Sequence, residues 1–219
     1  EMIVVNDHSE DSTLKILEKS AKSWENLKII CMNEGEQGKK NAIKKGISCA
    51  NGSVILCTDA DCRAGENWIK TIANYFTDKS VKLLSAPVEF HYKKDIFQKI
   101  QALEFLSLIG SGAAAINRGK GIFCNGANLA YRKSIFLEMN SYDSNSAVSG
   151  DDVFLMHHVK VKYPSGIRFV KDREAIVKTD AQPNLKSFIN QRKRWTSKSG
   201  SYTDWDTISV SILVLLINV

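Results

Sequence analysis

"SVILCTDADC", residues 53–62, runs a short apolar stretch straight into two carboxylates, Asp59 and Asp61. Val54 to Cys57 has the length and composition of a buried strand. In an extended chain, residues i and i+2 project to the same side, so both carboxylates are expected to face one spot. Like charges so close together call for a cation. Mg²⁺ or Mn²⁺ takes one or two carboxylates and completes its octahedron with phosphate oxygens and water. An aspartate pair at a strand end therefore suits a divalent-metal anchor for a diphosphate. An ordinary Asp cap on the following loop explains the same residues equally well.

Working outward, "MIVVN" reads as a strand, "STLKILEKSAKSW" as a helix with Leu14, Leu17, Ala21 and Trp24 on one face, and "LKIIC" as a second strand. "KKNAIKKGISCA" gives a second amphipathic helix. A helix around Trp68 to Phe76 and a strand at "VKLLSAPV" follow the aspartate pair. Apolar strands alternating with amphipathic helices predict an α/β fold, with a mostly parallel sheet covered on both faces. Right-handed crossovers in such a fold place a ligand crevice at the carboxyl ends of the strands. Asp7 and the Asp59/Asp61 pair fall at such ends, and one shared crevice is expected.

Past Val88 the alternation stops. Residues 96–116 are almost wholly apolar, with Lys99 and Glu104 the only charges, so this helix is either enclosed or docked on something apolar. "FCNGANLAYRK" reads as strand and loop, "GDDVFLMHHVKVKY" as a helix with Asp151 and Asp152 in its first turn, and "QPNLKSFINQRKRW" as a further helix.

The chain has 219 residues, 25% of them charged and 43% hydrophobic, which describes an ordinary folded protein. Five cysteines, an odd number with no CxxC, favour a reducing compartment over a disulfide framework. Between Lys160 and Gly200, eleven Lys/Arg face three acids, a net charge of +8 against +6 for the whole chain. A basic segment just ahead of the apolar run from Ser209 fits the cytoplasmic flank of a transmembrane helix. A solvated basic face is the plainer alternative. Nucleic-acid binding is disfavoured, because the basic stretch lacks the pattern of interleaved aromatics that makes a stacking platform. The opening in "EMIVVND" and the close in "SVSILVLLINV" read as cuts in a longer protein. Eleven residues from Ser209 are too few for a span of about 20 apolar residues, so they read as the start of a truncated membrane helix or as a buried core helix.

Three other groups have the residue types for chemistry. Asp7, in "VVNDHSED", can accept a hydrogen bond from a base or a ribose hydroxyl, although the same loop is an ordinary helix entry. "EGEQGKKNA" leads into a helix headed by Lys39 and Lys40, an arrangement that can bind phosphate but lacks the P-loop spacing. "GDD" at 150–152 is a helix start, a metal site, or a carboxylate pair of which one member acts as a base; paired carboxylates raise each other's pKa into a useful range. Gln191, Arg194 and Trp195 in "QRKRW" lie at i, i+3 and i+4 on one helix face, where Arg194 can clamp an anion and Trp195 can stack.

The ordered set "VVNDHSED", "GKKNAIKKG", "ILCTDADC", "CNGANLAYRK", "GDD" and "QRKRW" resembles the family 2 glycosyltransferases, in particular the membrane-bound group typified by cellulose, chitin and hyaluronan synthases. The resemblance runs from residue 1 to about 200. It implies a GT-A fold, Rossmann-like, with a mixed, mostly parallel sheet and helices on both faces. This domain would occupy residues 1–207 without the family's first strand, ahead of the truncated membrane helix at 208–219. It also implies a nucleotide-sugar donor, with a UDP-sugar expected, bound with Mn²⁺ or Mg²⁺, and an inverting transfer to a glycan or lipid-linked acceptor. On this resemblance Asp7 holds the base or ribose, Lys39 lies near the donor, Asp59 contacts the nucleotide and Asp61 ligates the metal. Asn125 and Gly126 line the acceptor side, with Asp152 the base and Asp151 beside it. Gln191, Arg194 and Trp195 close over diphosphate and acceptor. The setting implied is the cell membrane, with the catalytic domain on the cytoplasmic side.

Two departures stand out: His8 occupies a position where the family usually has Gly, and the pair before the helix is Asp-Asp rather than Glu-Asp. A haloacid-dehalogenase-like phosphohydrolase, with Asp59 as nucleophile, would also use a D-x-D after a strand but leaves "NGANLAY" and "QRKRW" unexplained. A non-catalytic nucleotide-sugar binder would keep Asp7 and Asp61 and need no base.

Overall fold

The computed structural model describes residues 1–92, 95–142, 152–197 and 202–217. In chain order the elements are β1 (Met2–Asn6), α1 (Thr13–Ala21), β2 (Leu27–Cys31), α2 (Lys39–Cys49), β3 (Val54–Cys57), β4 (Arg63–Ala64), α3 (Trp68–Tyr75), β5 (Leu83–Ser85), β6 (Val88–His91), α4 (Ile96–Asn117), β7 (Leu129–Arg132), α5 (Lys133–Tyr142), α6 (Asp152–Lys162), β8 (Ile167–Phe169), β9 (Val177–Asp180), α7 (Leu185–Thr196) and α8 (Trp205–Ile217). Short 3₁₀ turns at Gly126–Asn128 and Arg173–Ala175 precede β7 and β9. The chain forms two compact units, Glu1–Ile55 with Arg132–Asp151, and Leu56–Tyr131 with Asp152–Val219.

In the first unit β1 and β2 pair in parallel, Val4 opposite Ile29, with α1 packed on β2 and α2 on β1. Helix α1 ends at Ala21, so Trp24, expected on its apolar face, lies beyond it and is exposed.

The second unit holds most of the mixed sheet structure. One sheet has the order β3-β7-β5-β8, with β5 antiparallel to β7 and parallel to β8; the other has the order β4-β9-β6, with β9 antiparallel to β4 and parallel to β6. "VKLLSAPV", expected as one strand, is divided between the two sheets. Pro87 lies at the break: it has no N–H to give a ladder, but its carbonyl accepts from Val177 N–H at 3.1 Å. Leu83, Leu84, Val88, Phe90, Phe105, Met156, Val159 and Val177 form the core.

Helix α4 is long and apolar enough to cross a membrane by length and composition alone, with mean hydropathy 1.2. Its inner face is nevertheless built into the unit: Gln101, Phe105, Ile109, Gly112 and Ile116 are buried, and the helix packs on β6 and β8. Its outer face leaves Ile96, Ile100, Leu103 and Leu106 exposed.

Part of the basic segment is neutralised by the fold. Lys160 of α6 reaches Asp204 and Asp206 at the start of α8, each at 2.7 Å. Burial disfavours the charge on Lys160, but these two carboxylates outweigh it and the pKa rises. His157, also on α6, bonds Thr207 at 3.0 Å, so α8 is tied to α6 by polar side chains before its apolar run begins.

Candidate active site

In the first unit, Asp7 follows β1 and its carboxylate accepts the Gly38 N–H at 2.7 Å. Gly38 is the N-cap of α2 with φ +91°, a conformation that favours glycine, and Lys39 is the first residue of the helix behind it. The Gly38 N–H, and then the His8 ring at 3.1 Å, hold the Asp7 carboxyl below the ordinary carboxylate range. His8 itself sits at φ +56°. The backbone there takes the left-handed turn that glycine accepts most readily, which gives a physical meaning to the Gly-to-His departure in sequence. Asp7 and Lys39 thus meet around one loop and one helix N-terminus.

In the second unit the aspartate pair is not extended. Asp59 to Cys62 forms a tight turn, closed by Cys62 N–H to Asp59 C=O at 3.1 Å. The i, i+2 alternation expected for a strand therefore does not apply. Asp59 is half-buried; Asp61 is exposed at the tip, where Thr179 Oγ1 of β9 donates to its Oδ2 at 3.4 Å. Beside it, burial and the Asp61 and Asp59 charges push the Cys62 thiol up, and its S–H donates to Asp61 Oδ1 at 3.7 Å. The carboxylates at this turn are hard oxygen donors, the kind that Mg²⁺ or Mn²⁺ takes. Arg63 does not compete for Asp61: its guanidinium is bound by Asp180 at 2.9 Å, and Asp180 also meets His91 at 3.4 Å.

Asp152 opens α6. One carboxylate oxygen accepts the Gly126 N–H at 2.6 Å and the other the Val153 N–H at 3.0 Å. A Cβ built on Gly126 would lie 3.0 Å from the same carboxylate oxygen, so a side chain here would make that carboxylate give way by a few tenths of an ångström. The neighbouring Asn125 caps the 3₁₀ turn by accepting Ala127 N–H at 2.9 Å. Asp151 lies outside the described residues.

A model of the family "Glycosyl transferase family 2" matches residues 1–139. The chain belongs to glycosyl transferase family 2. It is 27% identical over 203 residues to the poly-beta-1,6-N-acetyl-D-glucosamine synthase of Staphylococcus aureus strain COL, covering 89% of this chain and 46% of that protein. The synthase of the same name from Staphylococcus epidermidis is 28% identical over 152 residues, covering 66% and 35%. The chain thus spans about half or less of the length of these curated relatives. Among solved structures, the mannosyltransferase PcManGT of Pyrobaculum calidifontis, in complex with GDP-Man and Mn²⁺, superposes with a TM-score of 0.60 at 15% identity, over 89% of this chain and 51% of that one. S. aureus TarS 1-349 in complex with UDP-GlcNAc gives 0.55 at 16% identity, over 84% and 50%. The fold is GT-A, and these neighbours bind nucleotide sugars.

In this family 2 chain, α7 carries Gln191, Arg194 and Trp195. Arg194 is exposed, Gln191 is half-buried, and Trp195 packs on the Phe105 ring with centroids 5.9 Å apart. Arg192 lies 4.3 Å over the Trp195 ring and pairs with Glu104, so the indole is held from two sides.

Sequence reasoning missed Asn128, which is fully buried beneath the Gly126 turn. Its amide donates to Pro87 C=O at 2.8 Å and Ala175 C=O at 2.7 Å and accepts Trp68 Nε1–H at 3.0 Å. Its place in "NGANLA", polar at the edge of a buried strand, was the available signal. Asn128→Leu strips three buried partners and is expected to destabilise the protein by about 3 kcal/mol, read as a lower denaturant midpoint. An unchanged midpoint would show that the network contributes nothing.

Proposed function

We propose that the chain is the catalytic part of a metal-dependent, inverting glycosyltransferase. It moves a sugar from a nucleoside-diphosphate donor, a UDP-sugar first, to a hydroxyl of a glycan or lipid-linked acceptor. The observation that carries this reading is the Asp152 carboxylate, fixed by the Gly126 N–H at 2.6 Å at the head of α6. The backbone donors fix the orientation of this carboxylate, the geometric property that a positioned base needs.

In the reaction the acceptor oxygen attacks the anomeric carbon from the face opposite the diphosphate. The new C–O bond forms as the bond to the diphosphate breaks, and the hydroxyl proton passes to Asp152. Asp61 would hold the divalent cation, with Asp59 near the nucleotide, and the cation would neutralise charge on the departing diphosphate. Arg194 and Gln191 face the same anion and Trp195 flanks the acceptor. Asn125 and Gly126 line the acceptor side, and Asp7 and Lys39 receive the nucleoside end of the donor. The match to family 2 supports transfer over the phosphohydrolase alternative.

The test is a screen of nucleotide sugars with the full-length protein, following release of nucleoside diphosphate with Mn²⁺, with Mg²⁺ and with chelator. Metal-dependent turnover of one donor, with inversion at the anomeric carbon by NMR, is expected. Binding without turnover would identify a binder, and phosphate release from monoesters a phosphohydrolase.

The same reading places the domain on the cytoplasmic face of a cell membrane, supported by the basic segment ahead of the apolar run at Ser209–Val219. Cysteine labelling in intact cells is expected to spare it, and labelling from outside would contradict this placement.

A further inference from the structure

Helix α7 has no fully buried residue, so few contacts decide how it is seated. Trp195 packs on the apolar cluster that includes Phe90, Phe105 and Ala181, and three contacts line one flank of α4. Phe97 meets the Phe188 ring edge-on at 5.9 Å, Glu104 pairs with Arg192, and Phe105 packs on Trp195. The fourth member of that flank, Gln101, lies one turn after Phe97 and is 1% exposed. A buried amide is costly unless both of its ends are satisfied. Here both ends go to one residue: Gln101 Nε2 donates to Gln182 C=O and Gln101 Oε1 accepts Gln182 N–H, each at 3.0 Å.

Gln182 lies between β9 and α7. Just before it, Ala181 N–H bonds His91 C=O at 3.2 Å, and just after it Asn184 caps α7 by accepting Ser187 N–H at 2.9 Å. The Gln101 amide therefore acts as a one-residue strand partner at the joint where β9, with Thr179 against Asp61, turns into the helix that carries Arg194. We infer that Gln101 is a positioning residue, which fixes this joint so that Gln191, Arg194 and Trp195 are held at the diphosphate. The inference rests on the proposed role of α7.

The test compares wild type, Gln101→Met and Gln101→Glu in the full-length protein. Met keeps length and volume and removes both bonds; Glu keeps the acceptor and removes the donor. Turnover and the affinities for UDP and UMP are measured. Gln101→Met is expected to lower kcat about tenfold and to shrink the preference for UDP over UMP, since a small misplacement of a clamp is enough for such a loss. Gln101→Glu, which buries a charge facing the Gln182 carbonyl, should fall at least as far, and the neutral Gln101→Leu carries the comparison if the Met variant does not fold. Ile47→Val, a buried change in α2, is the control for lost stability alone and should leave the UDP-to-UMP ratio unchanged. Arg194→Ala should cost less in the Gln101→Met background than in wild type, the mark of two residues acting as one unit. If Arg194→Ala weakens UDP binding in wild type while the Gln101 variants keep both kcat and the ratio, the positioning role is wrong. If Arg194→Ala leaves UDP binding unchanged in wild type, the reading of α7 itself fails.

Discussion

Asp152→Asn is expected to lower sugar transfer about a hundredfold or more while leaving donor affinity nearly unchanged. Asparagine keeps the shape of the side chain and an oxygen to accept the Gly126 N–H, so the head of α6 should hold its geometry. It cannot take a proton. The loss should therefore appear in kcat and not in the binding of UDP or the intact donor. Asp151→Asn should be milder. Gly126→Ala is a second probe of the same point: its Cβ would press on the Asp152 carboxylate at 3.0 Å, so transfer should fall through displacement of the base. Near-normal turnover of Asp152→Asn would move the base elsewhere, with Asp151 the first candidate.

Asp61→Ala is expected to lower turnover by about 10³-fold, the equivalent of several kcal/mol of charge stabilisation withdrawn from the leaving diphosphate. Unlike Asp152→Asn, it should also weaken UDP binding, and only when metal is present. Thr179→Val removes a hydroxyl that donates to Asp61 Oδ2 and should give a smaller loss of the same kind. An Asp61→Ala enzyme with wild-type metal dependence would remove Asp61 from the metal site.

The signals that the sequence carried well were local ones. The strands "MIVVN", "LKIIC" and "SVILC" and the helices after them are short local patterns, and they fold where those patterns predict, apart from the early end of α1 before Trp24. The fold brings the Gly126 N–H onto the Asp152 carboxylate and the Asp7 carboxylate onto the Gly38 N–H ahead of Lys39. Three things were hidden, the first by a local turn and the other two because they depend on a partner distant in sequence. Asp59 and Asp61 looked extended because they follow a strand, but the Cys62-to-Asp59 hydrogen bond folds them into a turn. "VKLLSAPV" looked like one strand, because the division at Pro87 depends on β8 and β9, about 80 residues later. Gln101 carried no signal of its own inside an almost wholly apolar helix, because its partner is the backbone of Gln182. The charge count of 160–200 likewise overstated the exposed basic surface, since Asp204, Asp206 and Glu104 lie outside that window.

The account's central claim is that the Asp61 turn binds a nucleoside diphosphate through a divalent cation. Calorimetric titration of the full-length protein with UDP, once with Mn²⁺ and once with chelator, tests it most directly. Saturable binding with Mn²⁺ that is lost or greatly weakened in chelator is the predicted result; equal affinity in the two conditions would contradict it.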